Sequence, residues 1–291
     1  MVNLVLVVVE TFGFLEMLVF IQAASIISFF ICCVLSGQSI FADIPTKLVA
    51  NSPAKYQECV SSSYAGKFQC HRSFQNNVTT TIFLSKYTID KGPIIHFCGD
   101  SVTLEIYHSL RCFYPMLNLR FHSIKRKKNG LSPARTFSTT VKPNLQYGDV
   151  VILNFGLWYN FPRDLKQYKN DLSELKSYLK YSMSNMPKIQ YTWMHSSAQH
   201  FCTKDGTYHQ ITGKVGGKCC KSRIVSRLRK HLAEKILTFE LGLEVFDLHR
   251  LTSERWLDHM GSGDCTHFCI DYGGPIHEVA NKIFLDLAVL Q

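Results

Sequence analysis

The sequence PIIHFCGDS, at residues 93–101, decides how this chain is expected to fold. Its mostly apolar first part, Pro93 to Cys98, predicts a buried strand, and Gly99-Asp100-Ser101 predicts a tight turn directly after it. An amphipathic stretch from Val102 to Phe113 comes next and predicts a helix. The segment therefore has the strand, turn and helix of an α/β unit.

The rest of the chain continues this alternation of short apolar runs and amphipathic stretches. Further strands are predicted at Leu117 to Ile124, Val150 to Asn154, Lys188 to Met194 and Leu243 to Leu248. Further helices are predicted at Leu165 to Met183, Ser222 to Phe239 and Ile276 to Leu290. Strands separated by helical crossovers indicate a mostly parallel sheet covered on both faces. We therefore expect an α/β fold, a three-layer α/β/α sandwich with about five strands.

Ser101 lies where an α/β sheet places its functional groups. Ligands bind at the carboxyl ends of the strands, and Ser101 follows the first strand directly. At the start of a helix, free backbone N–H groups and the helix dipole favour negative charge, which suits a nucleophile whose reaction develops an oxyanion. The plainer interpretation is that Asp100 and Ser101 only cap the helix.

A second motif, GDCTHFC at residues 263–269, supplies the groups that a serine nucleophile needs. Serine is a weak nucleophile near neutral pH and requires a base. Asp264 and His267 stand three residues apart, so the carboxylate can fix the imidazole tautomer while the other ring nitrogen takes a proton from Ser101. We therefore expect one ring nitrogen of His267 within hydrogen-bonding distance of Ser101 and the other beside Asp264.

Four segments together resemble the SGNH/GDSL superfamily, and within it the PC-esterase branch that includes the plant trichome-birefringence-like polysaccharide O-acetyltransferases. They occur in the family's order and read GDSVTLEIYHSLRC at 99–112, DVVILNFGLW at 149–158, SAQHF at 197–201 and DCTHFC at 264–269. The Gly-x-Asn-Asp block of ordinary GDSL esterases is replaced by the sequence GLWY at 156–159, which favours the PC-esterase branch. The resemblance covers residues 93–291 and implies an SGNH-hydrolase-like fold.

The resemblance also implies a role for each matching residue. Ser101 would be the nucleophile, His267 the general base and later acid, and Asp264 the group that orients it. The Ser101 backbone N–H, the Asn154 side chain and the neighbourhood of Gly156 would form the oxyanion hole. Asn154 ends a predicted buried strand, so its amide could instead cap a loop.

Four further residues are candidates for substrate binding. Trp158 and Tyr159 could form an apolar wall for the acyl donor or a sugar ring, or they could be core aromatics. Gln199 and His200 could contact substrate, or they could make structural polar contacts. Gly130 is a candidate for a second oxyanion glycine. We expect no metal and no bound cofactor, with an acyl donor, such as an acetyl donor, as co-substrate.

The chain has eleven cysteines, which favours a disulfide framework in an oxidising compartment over scattered reduced thiols. The sequon at Asn77 indicates a glycoprotein and points to the same compartment. The odd number of cysteines predicts a free thiol, for which Cys98 in its apolar run is the candidate. The disulfide candidates are Cys59, Cys70, Cys112, Cys202, Cys219, Cys220, Cys265 and Cys269.

Disulfides to Cys265 and Cys269, which flank His267, would hold the loop that carries it. We expect Cys265 to pair with Cys219 or Cys220. We expect Cys112 and Cys269 to pair with Cys59 and Cys70, in unknown order. The alternative is a zinc site built from Cys219, Cys220, Cys265, His267 and Cys269, although the Cys265-x3-Cys269 spacing is unusual for structural zinc.

Residues 17–35, MLVFIQAASIISFFICCVL, are uncharged over 19 residues, about the length of a helix that crosses a bilayer. We expect a signal anchor here, with a cleaved signal peptide and a buried core helix as alternatives. No Lys or Arg precedes the segment, so the positive-inside rule does not support the cytosolic N-terminus that such an anchor would have. The expected domains are an anchor or signal peptide at 1–36, a luminal stem with a disulfide-tethered extension at 37–90, and a catalytic domain at 91–291.

The formal charge is +10, which fits a polyanionic partner. Nucleic-acid binding would need exposure to the cytosol or nucleus, which the expected anchor and the cysteines argue against. The basic clusters at 125–128 and 218–230 therefore suggest an acidic glycan as the partner, or else they form a solvated helix surface. We expect a Golgi or secretory-pathway enzyme, or a secreted one, that O-acetylates a polysaccharide or glycan through an acyl-serine. The alternatives are a carbohydrate or lipid esterase with the same triad and a non-catalytic glycan-binding module with a relic site.

Overall fold

The computed structural model describes residues 47–49, 53–62, 81–83, 93–124, 131–202, 219–220, 224–260, 264–271 and 273–289 of the chain. All of these described residues belong to one compact unit. The predicted anchor at 17–35, the Asn77 sequon, Gly130 and the basic cluster at 125–128 lie outside the described residues. In the part that is described, no helix is long and apolar enough to cross a membrane.

Seven strands and seven α-helices occur in the described residues. The strands are β1 (Lys47–Val49), β2 (Thr81–Phe83), β3 (Ile95–Gly99), β4 (Leu119–Ser123), β5 (Val150–Leu153), β6 (Gln190–Met194) and β7 (Glu244–Phe246). The helices are α1 (Pro53–Ser62), α2 (Ser101–Phe113), α3 (Pro133–Thr136), α4 (Leu165–Asn185), α5 (Ile224–Ala233), α6 (Leu248–Thr252) and α7 (Pro275–Val289). Two helices continue into π-helical turns, α3 through Phe137–Val141 and α5 through Glu234–Phe239.

Five of these strands form a sheet in the order β4-β3-β5-β6-β7, and every neighbouring pair is parallel. In register, Phe97 of β3 lies between Phe121 of β4 and Ile152 of β5. The short strands β1 and β2 pair with each other antiparallel and do not join this sheet. The prediction of a parallel sheet of about five strands is confirmed.

Helices cover both faces of the sheet because side chains along a strand point alternately to opposite faces. Ile95 and Phe97 of β3 pack in a core with α2 and α7, whereas Cys98 packs in a second core with α4. Val150 and Val151 of β5 divide between the two cores in the same way. The predicted three-layer α/β/α sandwich is therefore confirmed.

Helix α1, from the expected 37–90 extension, packs into the core of the sandwich. The Tyr56 side chain has no exposed surface, and its hydroxyl donates to the Ile270 carbonyl at 2.7 Å and lies 2.6 Å from Ser109 Oγ. A disulfide joins Cys59 to Cys112 of α2. The buried Tyr56 and this disulfide thus hold the otherwise polar helix against α2, and the disulfide is a tether of the kind expected for residues 37–90.

Candidate active site

The turn between β3 and α2 places Ser101 at the carboxyl edge of the sheet. A side chain on Gly99 would put its Cβ 2.2 Å from Thr103 Oγ1, so the turn requires glycine. Asp100 caps the helix, with its Oδ1 accepting from the backbone N–H groups of Val102 at 3.2 Å and Thr103 at 3.4 Å. The capping role therefore belongs to Asp100. Ser101 occupies the first helical position, where its own N–H has no intrahelical acceptor.

The loop at residues 264–268 brings Asp264 and His267 to this serine. Asp264 Oδ1 accepts from the backbone N–H groups of Thr266 at 3.0 Å and His267 at 3.1 Å, and this turn explains the spacing of the two residues. Asp264 Oδ2 lies 2.7 Å from His267 Nδ1, and His267 Nε2 lies 2.8 Å from Ser101 Oγ. The three predicted residues thus form one continuous line of hydrogen bonds.

The charges around His267 favour its protonated form. Burial alone would lower the pKa of His267, but the carboxyl groups of Glu105 and Asp264 outweigh it and raise the pKa to about 9. Burial would likewise raise the pKa of Asp264, yet the hydrogen bond from His267 holds it below its usual value. Asp264 therefore stays ionised and can stabilise an imidazolium that has taken a proton from Ser101.

One disulfide fixes the loop that carries His267, and a second joins the two segments that contact this loop. Cys265 pairs with Cys219, one of its two expected partners. The other, Cys220, pairs instead with Cys202. The backbone between these two bridges is also fixed, because the N–H of His200 donates to the Cys265 carbonyl at 2.9 Å. The loop is therefore tied to both the 200 and the 220 regions of the chain.

The states of the remaining cysteines test the other predictions about disulfide pairing, the free thiol and zinc. Because Cys59 is bonded to Cys112, it is excluded as the partner of Cys269. Cys269 is also disulfide-bonded, and its other expected partner, Cys70, lies outside the described residues. Cys98 is free and buried, as predicted. The zinc alternative is wrong, since all four cysteines that it needs, Cys219, Cys220, Cys265 and Cys269, are in disulfides.

Asn154 and Gly156 lie at the carboxyl end of β5, the same edge of the sheet. Asn154 Nδ2 donates to the Met194 carbonyl at 2.8 Å and so joins the ends of β5 and β6. Its Oδ1 accepts from the Gly156 N–H at 3.4 Å. A Cβ on Gly156 would lie 1.9 Å from Ser196 Oγ, so only glycine fits there. The contacts of Asn154 are those of the loop-capping alternative, and both residues remain oxyanion-hole candidates.

Of the four substrate-binding candidates, Trp158 presents its side chain to solvent, with 49% of it exposed. Tyr159 is a core residue, because its ring is fully buried and its hydroxyl donates to Asp171. His200 is also fully buried, with Nδ1 on His259 and Nε2 on the Ser253 carbonyl. The burial and contacts of Tyr159 and His200 are therefore those of the core and structural alternatives.

Gln199 belongs to a buried network centred on Arg229, a residue that the sequence analysis missed. Arg229 Nη1 donates to the Gly156 carbonyl at 2.9 Å, and Nη2 donates to Gln199 Oε1 at 2.8 Å. Gln199 Nε2 in turn donates to Thr266 Oγ1 at 3.2 Å. The contacts of Gln199 are therefore those of the structural alternative, and they link the end of β5 to the loop of His267.

Arg229 could have been recognised by its position on α5. It lies four residues after Val225 and four before Ala233, both of which are buried, so it falls on the apolar stripe of the helix. Burial lowers the pKa of Arg229 to about 10, which leaves the guanidinium charged at neutral pH. A basic residue on a buried stripe indicates a specific set of acceptors, here the backbone around Gly156.

His259 is a second residue that the sequence analysis missed. Its Nδ1–H donates to the backbone carbonyl of His267 at 2.8 Å, and the N–H of Met260 donates to the same carbonyl at 3.1 Å. Burial lowers the pKa of His259 to about 3, so the ring is neutral at physiological pH. The backbone that carries His267 is therefore held by hydrogen bonds as well as by disulfides.

No family model and no curated protein sequence matches this chain. Among solved structures it is similar to Est24, a carbohydrate acetylesterase from Sinorhizobium meliloti, with 14% identity and a TM-score of 0.48 over 69% of this chain and 100% of that one. It is also similar to the acetyl xylan esterase AlAXEase, with 13% identity and a TM-score of 0.43 over 67% of this chain and 99% of that one.

Proposed function

We propose that this protein is a serine-dependent acyl-transfer enzyme that moves an acetyl group onto a hydroxyl of a polysaccharide or glycan through an acyl-serine. The observation that carries this proposal is the line of hydrogen bonds from Ser101 Oγ through His267 to Asp264, with distances of 2.8 and 2.7 Å. A serine hydroxyl, an imidazole and a carboxylate in this order form an activated nucleophile. The resemblance of the four sequence segments to polysaccharide O-acetyltransferases suggests the acceptor.

In the first half of the reaction, Ser101 is acylated. His267 Nε2 takes the proton from Ser101 Oγ as the oxygen attacks the acyl carbonyl carbon, and the carbonyl oxygen becomes an oxyanion. Asp264 stabilises the resulting imidazolium through Nδ1–H. The tetrahedral intermediate then collapses, the bond from carbon to the donor's leaving oxygen breaks, and His267 returns its proton to that oxygen.

In the second half, an acceptor hydroxyl takes the place of the leaving group. His267 removes its proton, the acceptor oxygen attacks the acyl-serine, and the proton returns to Ser101 as the new ester leaves. The Ser101 N–H at the start of α2 supports the oxyanion in both halves. The resemblance assigns the same task to Asn154 and Gly156, which would require their present hydrogen bonds to rearrange.

A hydrolase with the same triad is the second candidate. It is favoured by the accessibility of the site, since the side chains of Asp264 and His267 are 29% and 28% exposed and water can reach them. The non-catalytic alternative would have gained support if Ser101, Asp264 and His267 did not converge, and it gains none because they do. Trp158, half-exposed at the same edge, is the candidate surface for a sugar ring.

The transferase and the hydrolase are distinguished by the fate of the acyl-enzyme. We expect the purified full-length protein, loaded with a ¹⁴C-acetyl ester donor, to pass its label to an added glycan faster than to water. The measurement is the rate of label appearing in glycan and in free acetate, with and without glycan. Release into water at a rate that glycan does not change would reject transfer and establish hydrolysis.

We propose that the protein works in the secretory pathway, in the Golgi or beyond. Three disulfides among the described residues support an oxidising compartment. We expect Asn77 to carry a glycan, so that peptide:N-glycosidase treatment lowers the apparent mass of the wild-type protein. An Asn77→Gln variant is the control and should not shift. A wild-type protein that does not shift either would contradict glycosylation at this sequon.

A further inference from the structure

A buried carboxyl group that the proposed mechanism does not use lies beside Ser101 and His267. Glu105 is four residues after Ser101 on α2, so the two side chains share one face of the helix. The residue is only 7% exposed. Its Oε1 lies 3.9 Å from His267 Nε2, the nitrogen that also contacts Ser101 Oγ.

The hydrogen bonds of Glu105 offset only part of the cost of burying its carboxyl group. A buried carboxylate is costly unless it is paired and hydrogen-bonded. The backbone N–H of Phe268 donates a hydrogen bond to this carboxyl group, and His267 is its ion-pair partner, while its Oε2 has no hydrogen bond among the described residues. A distance of 3.9 Å is too long for a hydrogen bond but short enough for a charge to act strongly on the imidazole.

We propose that Glu105 is a second carboxyl partner of His267, one that stabilises the imidazolium from the side of Ser101 while Asp264 stabilises it from the opposite ring nitrogen. The inference rests on the proposed acyl-serine function and assigns Glu105 a positioning role, since it acts through His267. His267 would thus be held between two carboxyl groups, one on the loop and one on α2.

The charge of Glu105 is expected to change the pH at which His267 loses its proton. Burial raises the pKa of Glu105 to about 8, and His267 follows at about 9. In its ionised form, Glu105 carries a negative charge that retains the proton on His267. Neutral His267, the form that can accept a proton from Ser101, therefore appears at a higher pH than it would without Glu105.

In the described part of the chain, the other charged and titratable groups around the pair come from α2, the loop, α5 and α7. Asp100 at the start of α2 and Asp264 on the loop add negative charge to it. The ring of His259, behind His267, has its pKa lowered by burial and is neutral. Arg229 from α5 acts on Asp100. On α7, which packs against α2, burial lowers the pKa of His277 to about 4, so it is neutral as well.

The experiment is a pH profile of kcat and KM for the full-length Glu105→Gln variant, which keeps the shape of the side chain and removes its charge. We expect the acid limb of the kcat profile to move about one pH unit lower, because His267 loses its proton more easily. We expect kcat on the plateau to fall about tenfold, because the imidazolium formed in the transition state is less stabilised. KM should not change.

The matched control is Glu244→Gln, at an exposed glutamate on β7, whose profile should overlay that of the wild type. A purely structural role for Glu105 would lower kcat without moving the limb, and that result would overturn the proposal. If Glu105→Gln does not fold, Glu105→Met removes the charge with a side chain that suits a buried site.

A second measurement separates this proposal from the proposed function. The His267 ring can be titrated by NMR in ¹³C-histidine-labelled Ser101→Ala protein, which needs no turnover. We expect its pKa to fall when Glu105→Gln is added. A falling pKa in a protein that proves to have no acyl-transfer activity would keep the Glu105–His267 pairing and reject the function. An unchanged pKa in an active enzyme would overturn the pairing alone.

Discussion

Replacing Ser101 with alanine is expected to lower kcat by roughly four to six powers of ten, which is the usual loss when the nucleophile of such a triad is removed. The reason is that the hydroxyl 2.8 Å from His267 Nε2 is the atom proposed to form the acyl-enzyme, and alanine leaves His267 with nothing to activate. The measurement is turnover of an acetyl ester, together with intact mass after rapid quenching. The wild type should show an added acetyl group and the variant none.

The control for this prediction is Ser177→Ala, at an exposed serine on α4. It should leave turnover unchanged, and its acetyl adduct should appear as in the wild type. Activity of Ser101→Ala near that of the control would contradict the covalent mechanism. An acetyl adduct retained in Ser101→Ala would show that another residue is the nucleophile.

Asp264→Asn is expected to cost about 10⁴ in kcat, by analogy with other triads. The carboxamide oxygen can still accept from the backbone N–H groups of Thr266 and His267, so the turn should survive. Its NH₂ group, however, would donate to His267 Nδ1 and leave the proton on Nε2, the wrong nitrogen for accepting from Ser101. The change should therefore remove the base without unfolding the loop.

Two measurements accompany the Asp264→Asn variant. Its thermal unfolding midpoint should stay close to that of the wild type, which separates a tautomer effect from a loss of structure. The double variant with Ser101→Ala should be little worse than Ser101→Ala alone, because the residues act as one unit. A loss of less than about tenfold in the single variant would show that Asp264 does not set the state of His267.

The fold could be predicted from the sequence because its signals are local. The apolar run before Gly99-Asp100-Ser101 and the amphipathic stretch after it each decide their own structure, and the other strands of the sheet follow the same logic. The helix at 133–136 was missed because its α-helical part is only four residues long before the π-helical turn begins, too short for a helical period to show. The helix expected at Ser222 to Phe239 is divided, since its second part, Glu234–Phe239, has the wider turns of a π-helix.

The candidate site could be predicted only where residues close together in the sequence determine its geometry. Asp264 and His267 are close because one turn holds both, whereas their approach to Ser101 depends on contacts between distant parts of the chain. Tyr159 and Arg229 differ in this respect. The position of Arg229 on the apolar stripe of α5 could have indicated its burial, whereas the sequence left Tyr159 open as a core or a substrate-binding residue, and only packing between distant parts of the chain decides that.

The disulfide between Cys219 and Cys265 has a consequence for the order in which the molecule matures. The loop with His267 comes late in the chain, and it is tied to residue 219 only after both cysteines have been synthesised and oxidised. A new chain can therefore form the strand and helix around Ser101 while its base is not yet fastened. Activity would then begin in the compartment where oxidation occurs, and protein made in a reducing cytosol would need oxidative refolding before it could be assayed fairly.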